Sequence, residues 1–164
     1  MEKMNLFKAK RKDNNRWIEG FYVKAEGKDF IIKYGMICGN NDFLSMDDEY
    51  AEIDPATLSQ YIEWRDDHGQ RIFENDIVEF VSSPTRSEKY LIWWNREMSM
   101  TTAIPLDKIE RNGGDYYNHV KYHTFTYDTF CLMMQDPWGD FRDIKVIGNL
   151  FDNYDLIKEH LNER

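Results

Sequence analysis

His119 and His123 stand four residues apart, a spacing that on a helix turns two imidazoles to one side, close enough to share a zinc ion. Their neighbours Val120, Tyr122, Thr124 and Phe125 favour a strand, on which positions four apart lie about 13 Å from each other. No third ligand follows, so no metal site is assigned. Cys38 and Cys131 are far apart and belong to no C-x-x-C pair. Cys131, between Phe130 and Leu132, reads as a core thiol. There is no G-x-S-x-G elbow, P-loop or dinucleotide fingerprint. The carboxylates of Asp47-Asp48-Glu49 and Asp66-Asp67 have the chemistry of an acid–base pair. Adjacent residues on a turn point in different directions, however, and the solvated reading is preferred. The sequence therefore assigns no catalytic residue, no cofactor and no metal, and the expectation is of a non-enzyme.

The aromatic residues carry the remaining chemical signal. Trp93 and Trp94 are neighbours on an expected strand, so their side chains must face opposite sides. One belongs in the core and the other is available for contact, without the sequence saying which. Trp138 sits at the Asp136-Pro137-Trp138-Gly139 turn. These three tryptophans are the candidate interface residues, since large aromatic rings anchor protein contacts.

Composition bounds the partners. The 164 residues include five Trp, ten Tyr and ten Phe, a bias toward strands, while alanine is scarce. The net charge of −9 disfavours phosphate backbones. One stretch runs the other way. Up to residue 16, Lys3, Lys8, Lys10, Arg11, Lys12 and Arg16 against Glu2 and Asp13 give +4, leaving −13 on the remainder. Such a stretch reads as the solvated face of a strand, with an interaction arm as the alternative. No apolar leader and no membrane-length apolar run is present, so the expectation is a soluble protein of the cytoplasm with reduced thiols.

The elements that would position these groups are mostly short strands. Asn5–Lys10, Trp17–Lys24 and Phe30–Ile37, separated by turns at Asp13-Asn14-Asn15 and Glu26–Asp29, predict an antiparallel meander. Asp54-Pro55 predicts a short helix ending near Tyr61, with Asp as cap and Pro at the first helical position. Further strands are expected at Gln70–Phe73, Ile77–Val81, Tyr90–Trp94, Val120–Met134 and Asp143–Asn149. Lys108–Asp115 is expected to be a loop. A closing helix is predicted after Asn153 as its cap, with Leu156, Ile157 and Leu161 on one apolar face.

Two segments resemble a known family. Ile53-Asp54-Pro55-Ala56-Thr57-Leu58-Ser59-Gln60-Tyr61 runs on to Gly69-Gln70-Arg71-Ile72-Phe73-Glu74-Asn75-Asp76-Ile77-Val78, and Val146-Ile147-Gly148-Asn149-Leu150-Phe151-Asp152-Asn153 closes the chain. Together with Leu6–Gly20, these are similar to the YopX family, small proteins carried mostly by phages and prophages and without an established biochemical activity. Asp54, Pro55, Gln60, Gly69, Asp76, Gly148 and Asn149 match its motif positions, and turn geometry rather than catalysis explains them. The family usually has glycine where this chain has Ala9, Asn15, Glu63 and Asn75. Asn tolerates positive φ at Asn15 and Asn75, whereas Glu63 is harder to accommodate.

The expected architecture is mainly β, a β-rich α+β fold with two short helices. It comprises an N-terminal meander and helix over 1–62 and a partly open SH3-like barrel lobe over 63–164, with 97–136 as an insertion. The expected function is a phage or prophage accessory protein that binds a protein partner without catalysis. Edge pairing between copies is a route to a homo-oligomer. The alternative is nucleic-acid binding through the basic N-terminal strand and aromatic stacking.

Overall fold

A computed structural model describes residues 5–33, 50–96, 99–112, 115–118, 125–126 and 143–161. They belong to two compact units, Met1–Glu63 and Trp64–Arg164.

The first unit is built from β1 (Phe7–Arg11), β2 (Trp17–Ala25), β3 (Lys28–Lys33) and most of β4 (Tyr50–Arg65). All pairings are antiparallel, in the order β1-β2-β3-β4, and β1 also pairs with β4, so the sheet closes on itself. The turns form where the sequence expects them. Asn15 takes φ 58° between β1 and β2, and Glu26 and Gly27 take φ 51° and 77° between β2 and β3, two successive left-handed residues that match a tight hairpin. The inward residues Ala9, Ile18, Ile31, Ala51 and Ile53 form the core, with Phe7, Tyr22 and Leu58 packed against it. Gly20 is required by close approach, because a Cβ there would stand 2.6 Å from the Ile32 carbonyl carbon.

The expected helix at Asp54–Tyr61 does not form; those residues continue β4. The local cap chemistry is nonetheless present. The Asp54 carboxylate accepts the Ala56 amide at 3.0 Å, and the Thr57 hydroxyl donates to the Asp54 carbonyl at 2.8 Å. The same hydroxyl oxygen accepts the Lys10 amide at 2.8 Å, tying the segment to β1. Lys10 pairs with Asp54 and Lys8 with Ser59, so four residues of β4 bulge opposite Ala9. Side-chain-to-backbone bonds that would cap a helix here stabilise a bulge instead.

The second unit holds β5 (Arg71–Phe73), β6 (Asp76–Ser83), β7 (Arg86–Asn95), β8 (Met100–Pro105), a 3-10 turn (Leu106–Lys108), β9 (Ile109–Asn112), β10 (Asp115–Asn118), β11 (Phe125–Thr126), β12 (Asp143–Asn149) and α1 (Tyr154–Lys158). Its main sheet runs β11-β8-β7-β6-β12, and β9 with β10 makes a separate ribbon where a loop was expected. No closing pair joins the ends of the main sheet among the described residues; the closed ring is that of the first unit. Ile77, Leu91, Ile104, Leu106, Ile109 and Ile157 form the core, with Leu156 and Leu161 of the α1 region packed on it as their spacing predicts. Three of these six core residues lie in the stretch 97–136, which contributes β8 as an interior strand of the main sheet. Of the strand expected at Val120–Met134, only Phe125–Thr126 falls among the described residues.

Candidate functional site

The carboxylates closest to an acid–base reading are committed to the backbone. Asp66 is 6% exposed. Its carboxylate accepts the amides of His68 at 3.0 Å, Gln70 at 2.8 Å and Val146 at 3.0 Å. Asp67 accepts the Ile144 amide at 2.6 Å and returns its own amide to the Ile144 carbonyl at 3.0 Å. His68 Nε2 lies 3.0 Å from Asp143. The Asp66–His68 turn thus clasps the start of β12, and two amides that an unprotected strand edge would present are already bonded. No group of three His, Cys, Asp or Glu side chains suited to a metal occurs among the described residues. His119, His123, Cys38, Cys131, Trp138 and Asp47–Glu49 lie outside the described residues.

The motif positions build turns and junctions. Asp76, fully buried, accepts the Phe73 amide at 2.9 Å, and Asn75 beside it takes φ 65°. The Asn75 carbonyl accepts the Leu150 amide at 2.8 Å, and Asp76 and Ile77 pair with Asn149 and Gly148. The middle and closing sequence blocks are therefore neighbours in space. Asn149 accepts the amides of Phe151 and Asp152 at 2.9 and 3.0 Å. Asn153, expected to cap α1, makes no side-chain cap bond. It instead accepts the Asn149 amide at 3.1 Å, because Gly148 leaves room for its side chain. Gly69 takes φ 83°, Gln60 donates to Asn5 at 3.0 Å, and Pro55 is exposed on the β4 bulge. Glu63 takes φ 67°, the strained position that the missing glycine implied.

The two adjacent tryptophans separate as strand alternation demands. Trp93 packs against the second unit's core, and Trp94 is 43% exposed on the opposite face of β7.

A larger aromatic surface lies on the outward side of the first unit. Tyr22, Ile31 and Ala51 pair in register facing inward. The rows on either side face outward: Phe21, Ile32 and Tyr50 in one, Val23, Phe30 and Glu52 in the other. Tyr50 is 52% exposed and Val23 37%. Phe30 meets Tyr50 edge-on at 6.3 Å. An open hollow of about 460 Å³ is lined by Arg11, Lys12, Asp13, Phe30, Tyr50 and Glu52. Sequence reading overlooked this face, although apolar residues at consecutive positions (Phe21-Tyr22-Val23 and Phe30-Ile31-Ile32) signal a strand apolar on both sides.

The charged rim is internally paired. Lys12 Nζ stands 2.7 Å and Lys28 Nζ 3.1 Å from Glu52, and Arg11 makes a two-pronged contact with Asp13 at 2.7 and 3.0 Å. Hydrogen bonds from Lys12 and Lys28 hold the Glu52 carboxyl below its ordinary range, and the bond to Glu52 holds the Lys12 ammonium above its own. An Arg11 hydrogen bond lowers Asp13 in the same way. Elsewhere on the basic strand, the ammonium groups of Lys8 and Lys10 lie 5.1 and 5.6 Å from the Trp17 ring centre.

No helix among the described residues is long and apolar enough to cross a membrane. A family model described as YopX protein matches residues 6–158, and the chain belongs to the YopX family. No curated protein matches the chain.

Proposed function

We propose that this YopX-family chain is a phage or prophage accessory protein that acts in the bacterial cytoplasm by binding a protein partner, without catalysis. The observation that carries the reading is the half-exposed Tyr50 ring on the outward side of the first unit, edge-on to Phe30 and beside the exposed Val23. Apolar rings on an outward sheet face are the groups from which protein contacts draw affinity. Trp94 is a further exposed ring, in the other unit. The commitment of Asp66 and Asp67 to backbone amides adds support by removing these two carboxylates from chemistry. Tagged chain purified from host cells tests the proposal: a stoichiometric protein partner, weakened by Tyr50→Ser, is expected. Recovery of no such partner contradicts it.

Nucleic-acid binding draws on one observation, the two lysines gathered over Trp17. Against it, Arg11 and Lys12 on the same strand and turn are already paired with carboxylates. Titration with single-stranded DNA at rising salt separates the readings. An affinity falling steeply with salt supports the nucleic-acid reading, and absence of binding at low salt removes it.

A further inference from the structure

We draw no further inference here: the strongest candidate, the open hollow between the β1–β2 turn and the Phe30–Tyr50 pair, belongs to the surface already described, and nothing in the structure shows the chemistry of what would cover it.

Discussion

The Asp66 carboxylate accepts the backbone amide of Val146 at 3.0 Å, across 80 residues of chain. Asp67 does the same for Ile144. The middle and closing sequence blocks are thus joined twice, by this clasp and by the pairing of Asp76 with Asn149. Asp66→Ala leaves three amides without the buried carboxylate that accepts them, at a cost of about 3 kcal/mol. Urea unfolding measures it, and a loss below about 1 kcal/mol would mean that water replaces the carboxylate.

Asp67→Ala frees the Ile144 amide on the outer side of β12. Unblocked strand edges pair with other chains. The variant is expected to self-associate with rising concentration, as read by light scattering, while the parent chain changes less. Equal behaviour of the two would show that the clasp is not what protects this edge.

Gly148 and Asn153 form a coupled pair. A Cβ on residue 148 would stand 2.7 Å from the Asn153 side-chain amide carbon. Gly148→Ala is expected to cost about 2 kcal/mol through overpacking. Asn153→Ala costs about 1 kcal/mol through the lost bond to the Asn149 amide. The double variant should fall short of the sum, since removing Asn153 relieves the clash. Additive costs in denaturant unfolding would place the strain elsewhere.

Much of the β framework was legible because hairpin signals are local. Asn15 and Asn75 take positive φ as their side chains allow, and Trp17–Ala25 and Lys28–Lys33 form the expected hairpin. The Asp54-Pro55 helix failed for a non-local reason: the Asp54 and Thr57 bonds are those of a helix start, and the distant Lys10 amide on β1 selects the bulge. Asn153 was placed correctly as the residue before α1 but not in its bonding, because its partner Asn149 is reached only through the turn. Alternation separated Trp93 from Trp94 without orienting them, since which face is covered depends on core residues such as Ile77 and Ile104. The outward row around Tyr50 escaped notice because register across three strands decides it.

Glu63 occupies a left-handed conformation at φ 67°. Glu63→Gly is expected to stabilise the chain by about 1 kcal/mol, the relief of the side chain's steric cost less the added freedom of the unfolded state. The rise in the unfolding midpoint checks it. A fall would show that contacts of the glutamate outweigh the strain.

Glu52 and Lys12 shape the pH dependence. Glu52 is lowered on folding, so its contribution is present above the ordinary glutamate value of about 4.3 and is lost as pH falls through the lowered one. Lys12 is raised, so its contribution is present below about 10.4 and is lost as pH rises through the raised value. Glu52→Gln should flatten stability in both windows while leaving neutral pH little changed, because the pair is exposed. An unchanged profile would mean that the ion pair does not persist in solution.

The most direct measurement is quantitative affinity purification from host cells of the tagged parent chain, the Tyr50→Ser variant and the Trp94→Ser variant, with equal unfolding midpoints confirmed first. A stoichiometric protein partner is expected for the parent, reduced at least about tenfold by Tyr50→Ser, the equivalent of about 1.4 kcal/mol. A partner retained in full by Tyr50→Ser, or no stoichiometric partner at all, would contradict the assignment of the outward Tyr50 face as a protein-binding surface.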